Sequence, residues 1–203
     1  MAVLLHVDSS LFPLENSGSR RLTDAFRRSW EEAHPQGSVV YRDLAAAPVP
    51  HLDAATVTAG TLPPLREELI AEFEKADVVL IGAPMYNFTI PSTLKAWLDQ
   101  IILAGRTFGP GVEPSGKHAV VAASLGGSYG PGTPRAGFDF DTTYLEKVLG
   151  GGLGMRVEVI TRELTMAPVN PAMAELVPQA EESARRTLER ATASAREHAA
   201  LVA

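Results

Sequence analysis

Residues 78–105 read VVLIGAPMYNFTIPSTLKAWLDQIILAG. The stretch opens with Val78, Val79, Leu80 and Ile81, an apolar and mostly β-branched run with no polar face. A strand covered on both sides reads this way, and strands covered on both sides belong chiefly to parallel sheets. The stretch closes as an amphipathic helix, with Leu94, Trp97, Leu98, Ile101 and Ile102 at helical spacing. Between them, Gly82 to Pro91 is a turn too apolar to be a simple connector. Met85, Tyr86, Phe88 and Ile90 must pack inward or lie against something flat and apolar. Ligands of α/β proteins sit at the carboxyl ends of parallel strands, so this turn is the first candidate binding loop.

The rest of the chain repeats the strand–helix alternation. Ala2 to Val7 reads as a buried strand. The polar loop after it, Asp8 to Ser19, leads into a helix carrying Leu22, Ala25, Phe26 and Trp30 on one face, with Ser19 as the expected N-cap. Ser38 to Arg42 is a second strand. Residues 43–63 form a loop with weak helical potential over 54–59, and Leu65 to Lys75 is a helix. A Gly/Pro-rich loop follows Gly105, and His118 to Ala123 is the fourth strand. Asp141 to Leu149 is a helix that Gly150, Gly151 and Gly152 should stop. Arg156 to Thr161 is the fifth strand, and one long helix runs from Pro171 to about Ala199.

Five strands alternating with helices predict an α/β fold: a doubly wound, five-stranded parallel sheet of order 2-1-3-4-5, helices on both faces. Its ligand crevice lies between strands 1 and 3. The loops lining it would be Ser9–Ser19, Pro84–Phe88 and Ser124–Gly127. No repeat or linker divides the 203 residues, so a single domain over 1–203 is expected.

Charge and composition remove several function classes. A formal net charge of −6 argues against nucleic-acid binding and against an anionic membrane surface. The absence of cysteine excludes disulfides and thiolate chemistry. The N-terminus lacks a basic leader and no apolar run reaches membrane-spanning length, so a cytoplasmic location is expected.

Each crevice loop has chemistry to offer. Ser10, Ser17, Gly18 and Ser19 bring hydroxyls and amides to a helix N-terminus, which suits a phosphate; ordinary capping explains the same residues. Met85, Tyr86, Asn87 and Phe88 can pack on a planar ring while their amides bond its edge, although such residues are more often core. Ser124, Leu125, Gly126 and Gly127 let backbone approach a ligand closely, or form a tight turn. Gly111 to His118 imitates a P-loop, but His118 stands where Ser or Thr is needed and a strand follows instead of a helix. The five histidines lack ligand spacing, so no metal is expected. Nucleophile and acid–base pair are both missing, which a bound redox cofactor would explain.

The run Pro84-Met85-Tyr86-Asn87-Phe88-Thr89-Ile90-Pro91-Ser92-Thr93-Leu94-Lys95, with Asp99, resembles the signature of the FMN-dependent NADH azoreductases, flavodoxin-like quinone and azo-dye reductases. Ser9-Ser10, Ser17-Gly18-Ser19, Arg42-Asp43-Leu44-Ala45, Thr107-Phe108 and Ser124-Leu125-Gly126-Gly127 extend the likeness in the family's order. The resemblance implies that Ser10 and Ser17–Ser19 hold the FMN phosphate. Met85 to Phe88 would contact the ribityl chain and ring, and Ser124 to Gly127 the pyrimidine side. It implies a ping-pong reaction from NADH or NADPH to a quinone or azo compound, and a homodimer, which apolar residues around Phe108 and Tyr144 also favour. Phe108 is the candidate substrate-stacking residue. The segments after Phe108 and from Asp53 to Pro63 look shorter than in that family. The alternatives are a flavodoxin-like electron carrier acting with a protein partner and a nucleotide-binding regulatory module.

Overall fold

The computed structural model describes residues 1–58, 60–112 and 115–202. In chain order the elements are β1 (Val3–Asp8), α1 (Gly18–Ala33), β2 (Ser38–Asp43), α2 (Ala54–Thr58) and α3 (Pro64–Lys75). They continue with β3 (Val78–Pro84), α4 (Ser92–Ile101), β4 (His118–Ser124), α5 (Thr142–Leu145), β5 (Arg156–Arg162) and α6 (Val177–Leu201). Ala59, at the end of the weak helical stretch, and Glu113 and Pro114, inside the P-loop look-alike and the short segment after Phe108, lie outside the described residues.

The five strands form one parallel sheet of order β2-β1-β3-β4-β5, the order read from the sequence. Strand periodicity divides the core into two layers. Leu4, Leu80, Val120 and Ile160 face Leu22 and Phe26 of α1 and Ala191 and Ala195 of α6. Leu5, Val7, Val79, Ile81 and Val121 face Leu69 of α3, Leu94 and Trp97 of α4, and Leu145. Register fixes the level of the strand ends: Asp8 pairs with both Asp43 and Gly82, and Pro84 pairs with Ser124. The loops after β1, β3 and β4 therefore leave the sheet at one edge.

Several boundaries differ from the sequence reading. The N-cap of α1 is Ser17, whose Oγ accepts the Arg20 N–H at 3.2 Å, and Ser19 is a buried residue of the first turn. The cap must sit three residues before its donor, and Ser17 meets that spacing. Strand β3 runs on through Gly82, Ala83 and Pro84, paired with Ala122, Ala123 and Ser124. Proline is tolerated there because it is the last residue of the strand. Gly150–Gly152 do not stop the helix before them; α5 widens into a π-helical stretch over Glu146–Gly152. The final helix is two pieces, a 3₁₀ stretch at Pro171–Leu176 and then α6 with Pro178 in its first turn. That proline has no N–H to bond the preceding turn, so the α-helical ladder begins there.

Gly82 is required by its neighbour. A Cβ on it would overlap the buried carboxylate of Asp8 on the adjacent strand and approach Thr23 Cγ2 at 3.2 Å. Gly82→Ala is expected to cost about 2–3 kcal/mol, since overpacking and a broken buried network add. A urea midpoint equal to that of the parent would refute this.

Asp141 is fully buried, and neither carboxylate oxygen has a hydrogen-bond partner among the described residues. Burial, and then the nearby Asp139 carboxylate, push its pKa up to about 8. The folded chain thus holds this proton to higher pH than the unfolded chain. The stability contributed is full below about pH 4 and is lost as pH rises toward 8. Asp141→Asn is expected to flatten that slope and to be about 1–3 kcal/mol more stable than the parent at pH 8. Urea unfolding at pH 5 and pH 8 checks it, and identical pH slopes would contradict it.

Candidate active site

The loop after β1 is shaped from behind by charge. Asp8 ends β1 on the α1 side of the sheet, 3% exposed. It accepts from Thr23 Oγ1 at 2.9 Å and Tyr41 OH at 3.1 Å, and Arg20 Nη1 lies 3.4 Å away. His6 Nε2 is 3.3 Å from the same carboxylate, without hydrogen-bond alignment. Burial alone would raise the Asp8 pKa; His6, Arg20 and Thr23 outweigh it and hold the carboxyl below its ordinary value. Burial, then the Asp8 charge, push the Tyr41 hydroxyl up to about 12. Arg20 Nη2 donates to Asp43 at 2.8 Å and to the Ser10 carbonyl at 2.9 Å. Ser10 opens the loop and Ser17 closes it, so Arg20 holds one end by its side chain and the other by its backbone N–H.

At the far end of that loop the first amides of α1 have no intrahelical acceptor. Gly18 is there by necessity: a Cβ would meet Ser124 Cβ at 2.9 Å and Arg162 Cδ at 3.4 Å. Arg162, the last residue of β5, has a buried Nε with no partner among the described residues. Burial, then the charge of Arg21, lower its pKa. A helix N-terminus and two arginines thus share one corner, and Arg162 has no salt bridge to a carboxylate among the described residues. The corner fits a phosphate.

The loop after β3 is a two-residue hairpin turn. Tyr86 N–H donates to Thr89 O at 2.9 Å, and Thr89 N–H returns to Tyr86 O at 3.2 Å. Asn87 and Phe88 both have positive φ, 51° and 73°. That is the type I′ geometry, in which asparagine is at home and phenylalanine is strained by about 1–2 kcal/mol. The strain is held by the segment before α5. Phe88 meets the Phe138 and Tyr129 rings edge-on at 5.7 and 6.4 Å between centroids. Its carbonyl accepts the Phe140 N–H at 3.1 Å, and Thr89 Oγ1 donates to Phe140 O at 3.2 Å. Tyr86 OH reaches the first loop, accepting the Leu11 N–H at 3.1 Å.

The loop after β4 is pinned through its carbonyls. Leu125, Gly126 and Gly127 accept from Thr165, Met166 and Leu164 at 3.0, 3.1 and 3.2 Å. The N–H groups of Gly126 and Gly127 donate to no acceptor among the described residues. A Cβ on Gly126 would press on Met166 Cγ at 3.0 Å.

These loops enclose a cavity of about 510 Å³ lined by Ser10, Ser17, Gly18, Met85, Tyr86, Ser124 and Gly126 among others. Asn87 faces a larger open depression of about 880 Å³ with Lys95 and Tyr144. Gly127 faces a third hollow, about 560 Å³, beside Tyr129 and Arg135. Ser19 and Leu125 are buried behind the wall and hold it by packing. Phe88 lines none of the three, and its ring points to the 129–140 segment. Phe108 is elsewhere: it follows α4 on the way to the amino end of β4, with its ring beside Gly152.

Sequence reading missed Arg20, Arg162, Phe12, Thr165 and Met166. Arg20 occupies the third helical position after a capping serine, a signal that reads as a solvated charge. Phe12 lies within the expected Ser9–Ser19 loop, and Arg162, Thr165 and Met166 come from a strand end and the connection after it, whose sequence carries no ligand-binding pattern.

A family model described as the flavodoxin-like fold matches residues 2–191. The FMN-dependent NADH:quinone oxidoreductase of Streptomyces coelicolor is 56% identical over 209 positions, covering 97% of this chain and 95% of that protein. The protein of the same name from Streptomyces avermitilis is 52% identical over 210 positions, covering 97% of each. The solved azoreductase of Bacillus anthracis superposes with a TM-score of 0.82 at 27% identity, over 97% of this chain and all of that one. With such matches along almost its full length, the chain belongs to the flavodoxin-like family of FMN-dependent NADH:quinone oxidoreductases and azoreductases.

Proposed function

We propose that the chain binds FMN and uses NADH or NADPH to reduce a quinone, or an azo compound, by two electrons. Reductant and acceptor take turns in the same crevice, and the working unit is a homodimer. The observation that carries this reading is the 510 Å³ cavity joining the N-terminus of α1, Met85 and Tyr86 at the end of β3, and Ser124 and Gly126 after β4. One end offers the first amides of α1 with Arg162 packed behind Gly18, and the other offers the Gly126 N–H.

When bound, FMN supplies the two-electron exchange between dinucleotide and acceptor. The chain supplies position. Amides of Gly18 and Ser19, with the hydroxyls of Ser10 and Ser17, hold the phosphate. Arg162 balances its charge from below. Met85 and Tyr86 wall the cavity at the end of β3. The Gly126 amide donates to the carbonyl edge of the ring. Phe12, Met166 and Val169 keep an apolar mouth, which disfavours water where electrons are exchanged. A large apolar rim that includes Leu11, Phe138 and Phe140, all exposed in one chain, suits contact with a second copy.

Purified protein is expected to carry the yellow flavin spectrum after FMN loading and desalting. Anaerobic NADH should bleach it, and added quinone should restore it without a partner protein. A protein that stays colourless after FMN loading overturns the reading, and a requirement for a second protein would turn it into a carrier. Light scattering at micromolar concentration should return twice the 21.6 kDa chain mass.

A second outcome separates phosphate binding from ring binding. Arg162→Met is expected to weaken FMN about tenfold, near 1.4 kcal/mol, while leaving riboflavin affinity unchanged. The same variant should unfold at an equal or higher temperature without cofactor, because it removes a half-buried unpaired charge. Equal losses for FMN and riboflavin would show that Arg162 serves the fold alone.

A further inference from the structure

The reductant in the reading above is a polyanion, and its pyrophosphate has to be met by charge outside the flavin cavity. The chain carries a formal net charge of −6, so its long-range field works against that encounter. A local cation is needed near the mouth. Most of the basic groups there are already engaged. Arg20 is held between Asp8 and Asp43. Lys95 is paired with Asp99 one helical turn on. Arg162 and Arg21 stand at the phosphate end of the cavity.

Arg135 differs from all of these. It is exposed and forms no salt bridge among the described residues. Its guanidinium carbon sits 5.3 Å over the ring of Phe88, so the strained turn that borders the flavin cavity is also the platform for this charge. The nearby acids are spent elsewhere. Glu163 accepts from Ser128 Oγ at 2.8 Å, and Asp139 accepts the N–H groups of Asp141 and Thr142 at 3.0 and 2.9 Å. The ring contact seats an exposed guanidinium whose N–H donors are suited to holding a phosphate by two parallel bonds.

A hollow lies beside it. Arg135, Tyr129, Met173 and Leu176 line a space of about 560 Å³, within the range of small-molecule sites. Among the described residues, only Gly126 and Met166 line both this hollow and the 510 Å³ cavity. A ligand with one planar end in the cavity can therefore cross Met166 and lay a second, apolar-faced end in the hollow, with its anionic middle passing Arg135.

We infer that Arg135 and the adjoining hollow bind the pyrophosphate and adenosine half of the nicotinamide dinucleotide, a site separate from the one that holds the flavin. Phe88 thereby has two tasks, closing the turn and seating Arg135. The inference rests on the proposed function, since it presumes a dinucleotide reductant.

The test uses the FMN-loaded protein with a fixed quinone and two reductants. One is NADH. The other is 1-benzyl-1,4-dihydronicotinamide, which has the reacting ring and no phosphate. Arg135→Ala is expected to raise KM for NADH about tenfold with little change in kcat. It should leave the kinetics with the benzyl reductant and the affinity for FMN unaltered. Arg135→Lys should recover part of the loss, and added salt should raise KM for NADH in the parent more than in Arg135→Ala. An unchanged KM for NADH overturns the inference. So do equal losses with both reductants, which would mean that Arg135 only stiffens the Phe88 turn. Failure of the parent to oxidise either reductant while it retains FMN would instead overturn the proposed function, and this inference with it.

Discussion

One buried carboxylate organises the crevice. Asp8 ends β1 inside the α1 layer, where an unpaired charge would cost several kcal/mol. It is tolerated because four side chains from β1, α1 and β2 converge on it, and because Gly82 on β3 leaves room. Three strands and a helix are thereby fixed to one point at the carboxyl edge of the sheet. Arg20 carries that constraint outward to the Ser10 carbonyl. The loop from Ser10 to Ser17 is therefore held at both ends through Arg20, with Asp8 behind it. Such an arrangement lowers the ordering cost of binding, since the loop is already in place.

The second constraint is the strained turn at Asn87–Phe88. A left-handed phenylalanine persists only where its surroundings over-determine it. Here the surroundings are the 129–140 segment, which meets the turn through two ring contacts and two hydrogen bonds. The loop after β3 and the connection after β4 are thus tied to each other by both side chains and backbone.

Much of this was legible in the chain. The unbroken run Val78–Ile81 announced a strand covered on both faces, and alternation with helices then left few sheet orders, among them the one observed. The three loops that meet were legible too, because each follows a strand that the topology brings to the same edge. What escaped reading depends on long-range packing. Ser17 and Ser19 are equally good caps by type, and only the spacing to a free amide chooses Ser17. Leu125 sits in a glycine loop yet is buried, since Arg162 O holds its N–H at 2.8 Å. The positive φ of Phe88 contradicts its own preference and is set by residues some fifty positions away. Arg162 and Arg135 have no local pattern, because their meaning lies in the carboxylates they lack among the described residues.

That lack gives the crevice its sign. The surface pairs arginine with glutamate repeatedly, as in Arg42 with Glu72, Arg106 with Glu74 and Arg190 with Glu197. Arg162 and Arg135 form no such pair among the described residues. Two such arginines flank the cavity, Arg162 at one end and Arg135 across Met166 at the other. Leaving them unpaired gives up stability that a neighbouring acid would supply. It also keeps local positive potential at two separated points within a negative envelope. A ligand with a single phosphate can satisfy only one of them. The proposed flavin mononucleotide and dinucleotide would each take one of them.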